Sequence, residues 1–188
     1  EALLARLARL GSPAHAKAML HRQHRMVPAI GNLVSTVFYG GALQSVGGQV
    51  VPRSLTQVYS APVTWITTSH LPNRGEQRSN SSYINPVEAR SIRRILDRLE
   101  FIQKHQPKGA AAPPIKVAVL TGYSAQRAHL ESILGAESRP HLDLECHTVD
   151  AYQCQEADLV IFSVTRSNKA RQSGFLGEKE RINVALPC

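Results

Sequence analysis

Three polar clusters each follow directly on a segment that reads as a strand. They are Thr121-Gly122-Tyr123-Ser124-Ala125-Gln126, Thr148-Val149-Asp150-Ala151-Tyr152-Gln153 and Thr165-Arg166-Ser167-Asn168. Hydroxyls and backbone N–H groups in such stretches can bind phosphate without reading sequence. A fourth run, Gln23-His24-Arg25-Met26, adds a guanidinium, which is permanently charged and can hold phosphate oxygens two at a time. In an open parallel sheet, ligands bind beyond the carboxyl ends of the strands. If the segments before them are strands of one sheet, the first three clusters share one rim. Any one of them alone is ordinary loop chemistry; three on one edge are harder to assign to chance.

Other chemistries find less support. The eight histidines are scattered, and the closest pair, His21 and His24, has no cysteine or carboxylate cluster beside it. The three cysteines, Cys146, Cys154 and Cys188, form no Cys-x-x-Cys pair. No metal site is expected from this spacing. The odd cysteine count fits a reducing, intracellular setting, with cytoplasm and nucleus both open. Nothing near Cys154 in sequence marks it as an activated nucleophile.

The elements that must position these groups alternate. Residues 115–120 are almost wholly apolar, as in a buried parallel strand, and 142–149 and 159–164 read as two further strands. Ser124 can cap a helix reaching about Leu134. A longer helix begins after Asn85, with Asn85 as cap, Pro86 in the first position and Glu88 three residues on, a capping-box spacing. Its apolar face is Ile92, Ile95, Leu96, Leu99 and Ile102; arginines and Asp97 take the other side. Pro28 opens another helix, closed by Gly40-Gly41. Residues 1–10 carry a leucine stripe of helical spacing, and 18–26 read as a strand running into a loop. Residues 63–68 are β-rich and are expected to form a strand; 44–62 read as irregular and 69–82 as an exposed loop. The whole is an α/β fold with a parallel sheet and flanking helices, expected as one domain over 1–188, with 1–18 as a possible helical lead-in.

Bulk properties set outer limits. A chain of 188 residues suits one domain, and 43% hydrophobic residues suit a folded one. No apolar run approaches the ~18 residues of a membrane span, and residues 1–10 have no apolar signal core. A net charge of +8 favours a polyanionic partner, although a solvated basic surface gives the same number. With 5% aromatic residues, a stacking surface for single strands would rest on few rings.

Taken in order, the motifs resemble those of superfamily 1 helicases of the nonsense-mediated-decay and senataxin-like group. Residues 20–43 resemble motif IV, with Gln23-His24-Arg25-Met26, Pro28 and Phe38-Tyr39 where the family reads Gln-Tyr-Arg-Met, Pro and Phe-Tyr. Residues 121–126 resemble a Thr-Pro-Tyr-x-x-Gln segment, with Gly122 for Pro. TVDAYQCQE, 148–156, resembles motif V, and 174–186 the start of motif VI. The resemblance implies a RecA-like fold in the second motor domain of such a helicase. A twin ATP-binding RecA-like domain would precede Glu1 in the same polypeptide and carry the Gly-x-x-x-x-Gly-Lys-Ser/Thr loop, a pattern absent from this sequence.

The resemblance also implies roles. Arg25 matches the arginine that reaches the γ-phosphate, the catalytic residue of the set. Gln23, Gln153, Glu156 and Arg181 fall on the nucleotide side, Glu156 as the carboxylate for ribose hydroxyls. Thr121, Tyr123, Thr148, Val149, Asp150, Arg166 and Asn168 fall on the side of single-stranded RNA or DNA. ATP and Mg²⁺ would be shared with the first motor domain, and the isolated chain is expected to be inactive. Cys154 stands where motif V has Gly, and Pro187-Cys188 where motif VI continues with Thr or Ser, Arg and Ala. These departures keep open a catalytically inactive nucleic-acid or protein-binding module; an unrelated nucleotide-binding α/β protein is a third reading.

Overall fold

The structure, a computed structural model, describes residues 20–47, 51–106, 113–153, 155–177 and 183. The chain divides into two compact units, 1–48 and 49–188. The leucine-rich stretch 1–10 lies outside the described residues.

The first unit is a small strand–helix–strand motif. β1 (Arg22–Gln23) and β2 (Gln44–Ser45) pair in parallel, with Arg22 opposite Gln44 and Gln23 opposite Ser45. Between them runs α1 (Pro28–Phe38), with Pro28 in its first turn as anticipated. Gly40 and Gly41 take φ of +57° and +83°, and Gly41 N–H returns to Ser35 O at 2.9 Å. Only residues without a Cβ reach that geometry at little cost, so the two glycines end the helix.

The second unit is built on a parallel three-stranded sheet in the order β6-β5-β7, from β5 (Ile115–Thr121), β6 (Leu142–Thr148) and β7 (Leu159–Ser163). α4 (Ser124–Leu134) connects β5 to β6. The path from β6 to β7 starts with a 3-10 turn, Val149–Tyr152, and crosses to the other side of β5. The strand order therefore reverses at β5, the position where α/β sheets open a crevice.

The two sheet faces are covered differently. α3 (Pro86–Lys104), α4 and the short α2 (Arg53–Val58) lie on one face, where Leu96, Leu99, Val117, Val119 and Leu130 are fully buried. Shortening any one of these three leucines to alanine would cost about 2–5 kcal/mol. On the other face Ala118 and Leu120 pack under Val149 and Tyr152. A strand apolar on both faces must read as a continuous apolar run, which β5 does. Asp158 ties the start of β7 to β5, its Oδ2 accepting Lys116 N–H at 2.9 Å.

Several expectations need correction. Residues 63–68 form no strand and pair with no described strand; Trp65 is 80% exposed. Their β-rich composition describes side chains that suit a sheet, while a ladder needs a partner backbone. The supposed loop 69–82 contains a hairpin, β3 (Gln77–Ser79) with β4 (Ser82–Ile84), turned by Asn80 at φ +53°. Its strands carry almost no apolar alternation. Residues 44–62 contain β2 and α2, too short for a periodic signal. Ser124 is the first residue of α4, not its cap; Tyr123 holds the cap position and makes no side-chain cap bond.

Candidate functional site

The ends of the three parallel strands meet in register. Thr121 lies opposite Thr148 on one side and Ser163 on the other. Two residues past Ser163, Thr165 turns back, and its Oγ1 lies 3.0 Å from Thr121 Oγ1. Both threonines are fully buried, so Thr121 faces Thr165 and not solvent.

Thr165 is held at φ +66°, an unusual conformation for a β-branched residue. Its backbone is clamped at both polar groups. Glu88 Oε2 accepts Thr165 N–H at 2.9 Å, and Asn85 Nδ2 donates to Thr165 O at 3.2 Å. Glu88 Oε2 also accepts the Ser163 hydroxyl at 2.6 Å, and Gln126 Nε2 donates to Ser163 Oγ at 3.0 Å. The Gln126 Oε1 accepts Asn85 N–H at 2.7 Å.

Asn85 caps α3 as anticipated, accepting from Val87 and Glu88 N–H. The reciprocal half of a capping box is absent, because Glu88 turns toward β7 and Asn85 N–H goes to Gln126. Burial pushes the Glu88 carboxyl above the usual carboxylate range, against the pull of Ser163 and Thr165 N–H.

The next residues are strapped to the β3–β4 hairpin and the loop before it. A single oxygen, Glu76 Oε2, accepts from Arg166 Nε at 2.9 Å, Ser167 N–H at 2.7 Å and Asn168 Nδ2 at 3.1 Å. The Arg166 guanidinium lies 4.3 Å from the Tyr83 ring centre, and its Nη1 donates to Tyr123 Oη at 3.3 Å. Tyr83 and Tyr123 meet edge to face, centroids 5.8 Å apart. Burial works to raise the Glu76 carboxyl, but the hydrogen bonds from Arg166, Asn168 and Ser167 and the arginine charge hold it below the usual range. The bond to Tyr123 and the pairing with Glu76 keep Arg166 charged. Gly174, at φ +55°, lies so close that a Cβ there would collide with Tyr123 Oη and Arg166 Nη1.

Motif V residues divide by exposure. Asp150, Gln153 and Glu156 are exposed and Thr148 is half-buried, all available to a ligand from solvent. Val149 is buried against β5, backbone and side chain alike, so it anchors this turn and does not present itself to a ligand. Cys154 and Arg181 lie outside the described residues.

In the first unit, Gln23 shapes the loop that carries Arg25. Gln23 Oε1 accepts Arg25 N–H at 2.9 Å and Met26 N–H at 2.7 Å; Nε2 donates to Met26 O at 3.0 Å and Ser45 Oγ at 2.7 Å. Both ends of the amide are thus engaged within the unit. Arg25 sits half-buried on that loop.

The structure thus brings Thr121, Tyr123, Arg166 and Asn168 into one bonded group and sets Gln23 beside Arg25. Sequence reasoning missed Glu76 and the part played by Tyr83, and treated Asn85 and Glu88 as helix caps alone. The isolated glutamate in a polar stretch gave no signal. Tyr83, the first aromatic residue after that stretch, did.

Among the described residues, no group of His, Cys, Asp and Glu could hold a metal ion, and no helix is long and apolar enough to cross a membrane.

Comparison with known proteins agrees with the motifs. The AAA domain family matches residues 1–187. A Drosophila melanogaster protein described as a regulator of nonsense transcripts 1 homolog is 32% identical over 89% of this chain. The ATP-dependent helicase NAM7 of Saccharomyces cerevisiae is 30% identical over 99% of it. A shorter match, 39% identical over 39% of the chain, is to the yeast DNA polymerase alpha-associated DNA helicase A. The chain spans 14% of the Drosophila relative and 19% of NAM7. With its parallel α/β sheet and its ordered motifs, the chain belongs to this AAA domain family, as a superfamily 1 helicase domain of the nonsense-mediated-decay type.

Proposed function

We propose that this chain is the second motor domain of an ATP-dependent superfamily 1 helicase, acting inside the cell. In this reading it completes an ATP site formed mainly by a preceding RecA-like domain and grips single-stranded RNA or DNA at the strand ends of its sheet. The observation that carries the proposal is the convergence of Thr121, Thr148 and Thr165 at one rim of the parallel sheet, with Arg166 and Asn168 fixed beside it. Thr148 and Asp150 contact the strand, on a turn anchored by buried Val149. Tyr123, Arg166 and Asn168 shape and extend that surface, and buried Thr121 supports it from below.

Arg25 serves the γ-phosphate, where a guanidinium offsets charge that builds up during phosphoryl transfer and contributes roughly a thousandfold or more in rate. Gln23 positions it. The exposed side chains of Gln153 and Glu156 suit nucleotide hydroxyls approaching from solvent, and Arg181 supports the same cleft. ATP supplies the free energy for moving one motor domain against the other; Mg²⁺ is held mainly by the first.

The test is ATP hydrolysis by the whole natural protein, with and without single-stranded RNA and DNA, beside its Arg25→Ala variant. Strand-stimulated hydrolysis that falls at least a hundredfold in the variant is the expected result. Hydrolysis indifferent to Arg25 would overturn the assignment. Turnover by the 188-residue chain alone would overturn the division of labour. Cys154, where the motif calls for Gly, favours a second reading, a binding module without turnover. Strand binding with no hydrolysis by the whole protein would establish it.

A further inference from the structure

The outer face of α3 breaks the usual pattern of a solvated helix. Arg90, Arg94 and Arg98 recur every four residues, so they form one row, about 6 Å apart along the axis. All three are exposed, and none makes an ion pair among the described residues. The acids of the helix are engaged elsewhere. Glu88 turns inward to Ser163 and Thr165. Asp97 accepts from Arg139 at 2.6 Å and pairs with Arg93. Glu100 accepts from His141 Nδ1 at 2.6 Å. Like charges four residues apart repel one another along a helix, so folding alone gives no reason for the row.

The row ends on exposed rings. Phe101, three residues past Arg98, is 63% exposed and packs at a tilt against His105, centroids 4.2 Å apart. An unburied phenylalanine at the end of an unpaired arginine row is a second departure on the same face, and its chemistry complements the first. Arginines fit phosphates, and an aromatic face fits a base.

We infer that this face of α3 is a second single-strand-binding surface, separate from the strand-end rim, in which Arg90, Arg94 and Arg98 contact successive phosphodiesters and Phe101 stacks on a base. The occupant is single-stranded nucleic acid. The spacing of the row, about 6 Å, is close to the phosphate spacing of an extended strand, and the net charge of +8 favours the same partner. Phosphates and base faces are common to RNA and DNA, so this surface binds either.

The test uses the 188-residue chain and fluorescein-labelled decamers of uridylate and of thymidylate, followed by anisotropy across a salt series. Each phosphate contact contributes about 0.7 to the slope of log affinity against log salt. Arg94→Glu/Arg98→Glu is expected to weaken both decamers at least tenfold and to lower the slope by about 1.4. Phe101→Ala is expected to weaken binding about five- to tenfold with the slope unchanged. Arg127→Glu, on α4, is the control for charge alone and should change affinity less than threefold. All four side chains are on the surface, and unaltered circular dichroism verifies each fold.

Unchanged affinity in the α3 variants would overturn the inference and leave the row to an acidic protein partner. Equal losses in Arg127→Glu and in Arg94→Glu/Arg98→Glu would overturn it as a net-charge effect. A preference above tenfold for one decamer would overturn the shared-chemistry argument. The inference is separable from the motor proposal: hydrolysis that needs Arg25, with decamer binding indifferent to the α3 variants, would refute the surface and spare the motor.

Discussion

Glu88 Oε2 accepts the backbone N–H of Thr165 at 2.9 Å, and Thr165 is held there at φ +66°. The first turn of the longest helix thus fixes the turn that follows β7. The same oxygen accepts the Ser163 hydroxyl, so helix and strand end share one buried acceptor. Strained backbone of this kind persists where surrounding bonds over-determine it, and it tends to occur at functional sites.

Removing that acceptor should be costly. Glu88→Ala leaves the buried Thr165 N–H and the Ser163 hydroxyl proton without their acceptor, although Ser163 Oγ still accepts from Gln126, a loss of about 2–4 kcal/mol in urea unfolding. Thr165→Val keeps the shape and strain but removes the hydroxyl facing Thr121, and should cost about 1 kcal/mol. Equal stabilities for wild type and Glu88→Ala would refute the clamp.

The two buried carboxylates should respond to pH in opposite ways. Glu88 is raised when folded, so its contribution is full below its unfolded pKa and is lost as pH rises through the folded value. Glu76 is lowered when folded, so its contribution is present above the unfolded pKa and is lost as pH falls through the folded value. Unfolding midpoints across the acid range should therefore show wild type losing ground to Glu88→Gln as pH rises. Against Glu76→Gln, wild type should lose ground as pH falls.

Glu76 and Arg166 should behave as a coupled pair. Their side chains are 10% and 8% exposed, so removing one partner leaves a shielded charge. Glu76→Gln and Arg166→Ala should each cost about 3 kcal/mol, and the double variant clearly less than their sum. Strict additivity in a double-mutant cycle would show that the strap is only packing.

Gly31 is a control point for the Arg25 loop. A Cβ there would collide with Ser45 Oγ and the Gln23 amide, which bonds Arg25 and Met26 N–H. Gly31→Ala should speed hydrogen exchange at those two amides about tenfold and reduce Arg25-dependent hydrolysis in the whole protein. Unchanged exchange would show that the loop holds itself.

Cys146 should be unreactive. Burial, then the charge of Glu131, pushes its thiol up to about 11. In a Cys154→Ser/Cys188→Ser background at pH 8, alkylation should be roughly a hundredfold slower than for an exposed thiol, since the thiolate is the nucleophile. Reaction at the exposed rate would show that this strand opens.

Local sequence signals carry the scaffold: the run of β5, the Asn85 cap, the two glycines after α1 and the order of motifs. Each is a local signal, in which the side chains that encode an element lie within it. The same locality explains why Gln23 and Arg25 were found together. Tertiary structure decided the rest. Residues 63–68 have strand-like side chains and no backbone partner, while the polar β3–β4 hairpin forms without apolar alternation. Glu88 leaves its expected capping bond for groups more than seventy residues away, because a buried N–H at Thr165 must find an acceptor. Glu76, isolated in sequence, becomes the shared acceptor for Arg166, Ser167 and Asn168 only when the chain returns across about ninety residues. Bonds of such span depend on register and burial, which no window of sequence contains.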